Sequence, residues 1–442
     1  MRSAMPKVLH KVGQWPLLEH VHRLAKALSP HKTTIIYGHG GEEVRAHLKH
    51  LDSFWVEQKE RLGTGHAVMQ LADDIDDSAT VLILYGDVPL LRQATVEKLL
   101  ALSGEDSLAL LTVELDDPHG YGRIVRDAAG AVLKIVEQKD ASPEALAITE
   151  GNTGILAVNG AKLKGWLKRL DNNNAQGEYY LTDIIGLAVH DGVTVRTAHA
   201  VNVDEVLGVN DRQQLAHLER VYQTDWAKRL MASGVTLRDP ARLDLRCDIA
   251  HMGQDVEIDV NVILEGEIRI GDRVRIGPNT VIRDSEIADD VEIYANCIIE
   301  KAQVGRGSRI GPFARLRPET RLAEQVHVGN FVEIKKTLVA SRSKINHLSY
   351  IGDSIVGSDV NIGAGTITCN YDGVNKFQTV IEDGAFIGSD TQLVAPVRVG
   401  KNATIGAGST ITKDAPEDSL TLSRVKQMTR EGWKRPVKMK GD

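Results

Sequence analysis

Cysteine is scarce in this chain of 442 residues: Cys247, Cys297 and Cys369 are far apart and odd in number. That excludes a disulfide framework and offers no zinc-ligand spacing, so a reducing cytoplasm is the expected compartment. Long apolar runs are missing too. The longest, such as 81–85 and 108–113, fall far short of the ~18 residues of a membrane span, and MRSAMPKVLH lacks the apolar centre of a signal peptide. Membrane partners are not expected. Nor is there an excess of positive charge: 53 basic residues stand against 60 acidic ones, a net charge of −7. With no global pull toward nucleic acid, any anion binding must be local. Aromatic residues make up only 4% while glycine reaches 40, a bias that suits close-packed turns repeated many times.

Hydrophobic residues at 42% and charged residues at 26% match a globular chain rather than a disordered one. The length exceeds the roughly 250–300 residues at which a single core stops growing, so two domains, or one domain and a solenoid, are expected.

Residues 1–212 alternate apolar runs with amphipathic stretches. TTIIYGH (33–39), FWVEQ (54–58), ATVLILYGDVPL (79–90), LALLTVEL (108–115) and TGILAVN (153–159) read as strands. WPLLEHVHRLAKAL, EEVRAHLKHL, HAVMQLA, TVEKLLALS and AKLKGWLKRL read as helices. The alternation predicts an α/β domain with a mostly parallel sheet, whose ligands gather beyond the carboxyl ends of the strands. Residues 213–233 carry Leu215, Leu218, Val221, Tyr222 and Trp226 at helical spacing and form a candidate connecting helix.

Beyond about residue 250 an aliphatic residue recurs at every sixth position. Ile258, Leu264, Ile270, Ile276 and Ile282 keep one register; Ile381, Ile387, Leu393, Val399, Ile405 and Ile411 keep another, and glycine often follows, as in Ile270-Gly271 and Ile405-Gly406. This is the signature of a parallel β-helix over 234–423. Each short strand turns one aliphatic side chain inward, small residues turn the corner, and three faces close a coil in roughly 18 residues. The offset from Ile282 to Ile387 is not a multiple of six but leaves a remainder of 3, so insertions interrupt the coils. The richest is TITCNYDGVNKFQ (366–378). Excursions from a rigid solenoid are where binding residues gather.

Several residues carry chemistry. Asp87 ends the run VLILYGD, so its carboxylate emerges at the edge of a buried strand, as a Mg²⁺ ligand or as a turn or cap residue. Gly63-Thr64-Gly65-His66 opens a helical stretch, and Lys7 stands early enough to neutralise a triphosphate or is an ordinary surface lysine. The tail, 424–442, holds Arg424, Lys426, Arg430, Lys434, Arg435, Lys438 and Lys440 against the single acid Glu431 up to that last lysine. It reads as a solvated tail or as a clamp for phosphates.

The segments MPKVLHKVG, RLGTGHA, LYGDVPL, DPHGYGRIV, IVEQKDAS, EGNTGI, NNNAQGEYYLTDII, VLGVND and NIGAGTITCNYDGVNK run in a telling order. Through them the whole chain resembles the bacterial bifunctional N-acetylglucosamine-1-phosphate uridyltransferase and glucosamine-1-phosphate N-acetyltransferase family. The resemblance implies a Rossmann-like α/β nucleotidyltransferase domain, a connecting helix and a C-terminal left-handed parallel β-helix of hexapeptide repeats. It implies acetyl transfer from acetyl-CoA to glucosamine 1-phosphate, then uridyl transfer from UTP with release of pyrophosphate, in supply of peptidoglycan and lipopolysaccharide precursors.

By the same resemblance, Asp87 and Asn210 would hold Mg²⁺, while Lys7, Gln58, Gly63, Thr64, Tyr85, Gly86, Gly122, Glu137 and Asn152 would line the UTP and sugar pocket. In the solenoid His347 would be the general base, with Glu333 placed to orient or charge-stabilise it. Arg317, Lys335, Tyr350, Asn361 and Lys376 would hold the sugar phosphate, and Asn370 and Tyr371 would sit near the reacting acetyl group. Ala364, Ser389, Ala407 and Arg424 would line the coenzyme A groove. A homotrimer with sites between subunits is expected, acting on small sugar phosphates. Without the resemblance His347 reads better as a structural or surface histidine. Cys369, inside the polar excursion, offers an acyl-enzyme route, but no basic partner adjoins it and direct transfer is preferred.

One departure stands out. The family opens with a strand feeding a loop of the type Leu-Ala-Ala-Gly-x-Gly-Thr-Arg, and Met1 comes just after the place where that loop would end. Gly38-His39-Gly40-Gly41 lacks the basic residue and lies elsewhere in the order. The expectation is a late-called start or a truncation, with little or no uridyl transfer by the polypeptide as written. Two alternatives accompany the bifunctional reading: an acetyltransferase alone, and a non-catalytic sugar-nucleotide-binding assembly protein.

Overall fold

The most apolar run of the N-terminal half becomes its innermost strand. Ser107–Glu114 is buried along nearly all its length and lies beside Glu150–Asn159, which is also largely buried. The computed structural model describes residues 1–38, 40–436 and 438, and the chain divides into two compact units, Met1–Tyr222 and Gln223–Asp442. In the first unit the strands Thr194–His199, Ser107–Glu114, Glu150–Asn159, Arg123–Arg126 and Val132–Val136 follow one another across a sheet, and Thr80–Ile83 also pairs with Glu150–Asn159.

Among the described residues only the pairing of Thr194–His199 with Ser107–Glu114 is parallel in this sheet; the others are antiparallel. The expectation of a mostly parallel sheet is thus corrected. Parallel return requires a long crossover, usually a packed helix. Between Ser107–Glu114 and Glu150–Asn159 the chain instead makes a hairpin of Arg123–Arg126 and Val132–Val136 and one short helix, Pro143–Leu146. A second, two-stranded parallel sheet joins Thr34–Tyr37 to Phe54–Glu57. Among the described residues no strand links it to the larger sheet, and neither Thr34–Tyr37 nor Thr80–Ile83 contains a fully buried residue.

The helices Leu17–Ala27, Gly41–His47, Thr64–Met69, Gln93–Leu100 and Gly160–Leu167 fall on the five amphipathic stretches. Asp183–His190 was not legible as amphipathic, because DIIGLAVH is apolar on nearly every side; Ile184, Ile185 and Ala188 are buried. The helix Arg212–Ala232 spans the boundary between the units, which falls between Tyr222 and Gln223. No helix among the described residues is long and apolar enough to cross a membrane.

The second unit is a left-handed parallel β-helix. Short strands of successive coils pair in parallel, so that Ile276, Ile293, Ile310, Val328, Ile345 and Ile362 stand one above another, each buried. The step between register partners is nearly constant until Ile362, whose partner is Ile387, a much longer way along the chain. The broken six-residue register therefore has two sources: several coils one residue shorter than three hexapeptides, and one long coil that contains the polar excursion.

Corners impose their own chemistry. One residue per corner takes the left-handed conformation, and along one edge these are Asn261, Asn279, Asn296, Phe313, Phe331 and Leu348. Asparagine is the ordinary non-glycine choice there, and the Asn261, Asn279 and Asn296 amides bond in series at 2.9 and 3.2 Å. Buried hydroxyls satisfy the backbone inside the corners. Ser343 Oγ donates to Gly357 O at 2.6 Å and accepts from Val360 N at 3.0 Å.

Because each inward aliphatic residue supports the coil above and the coil below, Ile310→Ala is expected to destabilise this unit by about 2–5 kcal/mol. Denaturant unfolding of the full chain, followed by the β-sheet signal, measures it.

Candidate functional site

The first constellation gathers at the carboxyl end of Thr80–Ile83, where Tyr85, Gly86 and Asp87 follow the strand. Lys7 opens a short 3₁₀ turn, Lys7–Leu9, and its ammonium bonds Asp87 Oδ2 at 2.6 Å and Asn210 Oδ1 at 3.1 Å. Asn210 is held close because Val209 N donates to Asp87 O at 3.0 Å. Two hard oxygens thus converge on one cationic centre, the donor set that Mg²⁺ accepts together with water and phosphate oxygens.

Beside them lies a more enclosed group. Burial pushes the Tyr85 phenol up to about 12, aided by the Glu137 and Asp87 charges and opposed by a hydrogen bond with Thr64. Burial also raises Glu137 above the usual carboxylate range, opposed by the Thr182 hydroxyl, which donates to it at 2.9 Å. Gly122 abuts Glu137: a Cβ there would stand 3.3 Å from either carboxylate oxygen. Asn152 is buried, its N–H donating to Gly122 O at 2.8 Å and its Oδ1 accepting from Gly154 N at 2.9 Å. Gln58 donates to Gly63 O at 3.0 Å. Gly63 has φ +104, and a Cβ would come within 2.6 Å of Tyr179 O, so no other residue fits without displacing that backbone. Thr182, inside the motif NNNAQGEYYLTDII, was missed; nothing in that segment sets its hydroxyl apart from those of Tyr179 and Tyr180.

The second constellation lies on the β-helix. Arg317 Nη1 donates to Glu333 Oε1 at 2.8 Å, and this pair holds the guanidinium above its ordinary range. Lys335 lies close enough to Lys376 to lower the latter's pKa, through a side-chain hydrogen bond and like charge, with Tyr350 and Asp353 nearby. Asp353 is engaged by the Asn370 amide. The excursion carrying Asn370, Tyr371 and Lys376 folds back on itself through a bridge between Tyr371 and Lys376, and Tyr371 is exposed. Asn361 sits on the strand Asn361–Ile362, opposite Lys344 and Phe386.

His347 is exposed at the end of Lys344–His347, and its Nδ1 meets Asn330 Oδ1 at 2.9 Å. The expected partner, Glu333, is committed to Arg317 instead. Asn330 was missed in the sequence, although it is the register partner of His347 on the preceding coil. The same corner continues downward. Leu348 O accepts from Gly365 N at 3.1 Å, Ala364 O from Asp390 N at 2.7 Å, and Ser389 O from Gly408 N at 2.8 Å. Asn330, His347, Ala364, Ser389 and Ala407 therefore form one column, and Arg424 Nη1 closes it on Ala407 O at 3.0 Å. Below the histidine the column is small side chains only. Of the basic tail, Lys440 lies outside the described residues.

Family models match both units: the MobA-like NTP transferase domain over residues 1–149, the GMPPB C-terminal domain over 248–330 and six repeats of the bacterial transferase hexapeptide over 378–413. The curated Bifunctional protein GlmU of Methylococcus capsulatus is 66% identical over 438 residues, 99% of this chain and 95% of that one. The chain belongs to the bifunctional GlmU family. The GlmU proteins of Ralstonia pickettii, 59% identical over 100% of this chain and 96% of theirs, and of Nitrosospira multiformis, 57% over 99% and 95%, agree. Within this member of the GlmU family the two constellations lie one in each unit.

The three cysteines are free. Burial pushes Cys247 up to about 12 and Cys297 up to about 11, and raises Cys369 as well. Thiols held protonated are poor nucleophiles. Cys369→Ala is expected to leave the rate of acetylation within about twofold, with no acyl-enzyme burst in either protein; quenched-flow sampling of the first turnover checks it.

Proposed function

We infer that this chain makes UDP-N-acetylglucosamine in two reactions, acetyl transfer from acetyl-CoA to glucosamine 1-phosphate and uridyl transfer from UTP to the N-acetylated product; the gathering of Lys7, Asp87 and Asn210 and the likeness to the GlmU proteins outweigh the expectation of little or no uridyl transfer. The observation that carries the inference is the corner column in which an imidazole stands above small side chains, in the same unit that gathers Arg317, Lys335 and Lys376 about Tyr350. The product feeds cell-wall precursor synthesis, and free, protonated cysteines suit a cytoplasmic enzyme.

In the acetyl-transfer site the basic patch neutralises the sugar phosphate and so orients the amine. Coenzyme A lies along Ala364, Ser389 and Ala407, where short side chains leave room for pantetheine, and Arg424 meets its phosphates. The amine nitrogen attacks the thioester carbonyl: the C–N bond forms, the C–S bond breaks, the amine proton passes to His347, and His347 delivers it to the departing thiolate. General-base help of this kind contributes about 10²–10⁴-fold. Asn370 and Tyr371, on the excursion, sit near the reacting acetyl group.

In the uridyl-transfer site Asp87 and Asn210 would hold Mg²⁺, which would neutralise the charge of the phosphates. The Lys7 ammonium lies between the same two oxygens, and on substrate entry it turns to the triphosphate. Gln58, Gly63, Thr64, Tyr85, Gly86, Gly122, Glu137 and Asn152 position the nucleotide and sugar for in-line attack on the α-phosphorus. Orientation and charge neutralisation are the whole contribution of the protein there.

The chain works as a homotrimer. Phe313, Phe331 and Leu348 take a left-handed conformation that bulky residues avoid, yet are 49%, 55% and 62% exposed, and the two rings stack at 5.2 Å. Asparagine serves the same corner on the earlier coils, so backbone geometry does not ask for these side chains; an apolar contact with a second copy does.

Assays on separate substrates test the division of labour. His347→Ala is expected to lower acetyl transfer by about 10²–10⁴-fold and spare uridyl transfer; Asp87→Ala is expected to do the reverse. Equal loss of both activities in either variant sinks the assignment. No UTP-dependent product from the unaltered chain would leave the acetyltransferase reading standing alone. For the trimer, Phe331→Asp is expected to reduce the mass in light scattering to that of a monomer, and an unchanged mass refutes this contact.

A further inference from the structure

We propose that Asn330 is the positioning residue of the acetyl-transfer site: its side-chain carbonyl holds Nδ1–H of His347 and so fixes the tautomer in which Nε2 is free to take the amine proton. This rests on the reading of His347 as the base and assigns the role first given to Glu333.

Asn330 and His347 are register partners on consecutive coils, and Asn330 Oδ1 stands 2.9 Å from His347 Nδ1. Backbone structure fixes both residues. Leu348 N donates to Asn330 O at 3.0 Å, and Phe331 and Leu348, which follow the pair, share the same left-handed corner conformation. Just before Asn330 the coils approach so closely that a Cβ on Gly329 would stand 1.9 Å from Asn346 O. The absence of a side chain at 329 is what lets Asn330 reach the ring on the next coil.

A neutral imidazole carries its proton on one nitrogen and a lone pair on the other. An amide oxygen only accepts, so Oδ1 facing Nδ1 requires the proton there and leaves the lone pair on Nε2. An amide also does this without charge, whereas a carboxylate in its place would hold the imidazolium proton more tightly. The titratable side chains on the coils packed about the ring are Lys344 on its own strand and His327 on the preceding one; Asn361, on the following strand, is uncharged. Glu333 is neutralised by Arg317. None of these strands leaves a carboxylate to orient His347, and the amide is the group that does.

The full-length enzyme with ¹⁵N-labelled histidine provides the test, the His347 signals being assigned by their loss in His347→Gln. Long-range ¹H–¹⁵N spectra of the neutral ring are expected to show Nδ1–H in the wild type and a mixture of tautomers in Asn330→Ala. The same variant is expected to lose about 10–100-fold in kcat for acetyl transfer, a fraction of the full general-base contribution, with KM for both substrates within about twofold. Asn330→Asp, which also covers the case that the alanine variant fails to fold, keeps the tautomer. It recovers most of the rate and moves the acidic limb of kcat/KM to higher pH, because the added negative charge raises the imidazole pKa. An Nε2–H tautomer in the wild type, or unchanged tautomer and rate in Asn330→Ala beside an inactive His347→Ala, overturns the positioning role alone. Undiminished acetyl transfer by His347→Ala overturns the base itself and the role of Asn330 with it.

Discussion

The backbone ladder between successive coils is the constraint on which the C-terminal unit rests. Each inward aliphatic residue can pack only if the coil above repeats it in register, and hydrogen bonds such as Ile298 N to Ala314 O and Arg315 N to Val332 O hold that register. Residues one coil apart therefore share an environment, and chemistry is arranged in columns: aliphatic residues inside, hydroxyls at the inner corners, left-handed residues outside them. The imidazole and the small residues beneath it form one more such column. A reactive group placed on it inherits the rigidity of the ladder rather than the mobility of a loop, which suits pre-organisation.

Much of this was written in the sequence, because a six-residue period with glycine after the aliphatic position has few other physical explanations. Residues such as Ile276, Ile387 and Ile405 declare themselves. What was not legible is the exact length of each coil, since one face can shorten by a residue without losing its inward side chain. For that reason Asn330 went unseen as the neighbour of His347, and Glu333 was put in its place; the coil offset pairs Glu333 with Tyr350 instead. In the N-terminal unit, helices with a polar face were legible, but the hairpin of Arg123–Arg126 and Val132–Val136 was not. Its strands mix charged and aliphatic residues, and strand direction is set by connections that periodicity does not reveal.

The two sites handle charge differently. Around Tyr85 and Glu137 burial disfavours ionisation, and the hydroxyl of Thr182 supplies a donor in compensation; a polar group placed there is strongly felt. Around Lys335 and Lys376 like charges stand close in the open. That repulsion is relieved when an anion arrives, so such a site favours binding over emptiness.

The long coil shows how separable these properties are. Between Ile362 and Ile387 the chain makes one circuit that is longer than its neighbours, then returns to the ordinary step at Ile405. Lengthening a surface loop is cheap, since doubling it adds only about 0.6 kcal/mol of closure entropy. A solenoid of this kind passes nothing of the insertion on beyond the adjacent coils, because each coil answers only to the one before and the one after. The excursion thus behaves as an exchangeable part: evolution can rewrite the residues it presents while the scaffold that holds the imidazole stays as it is.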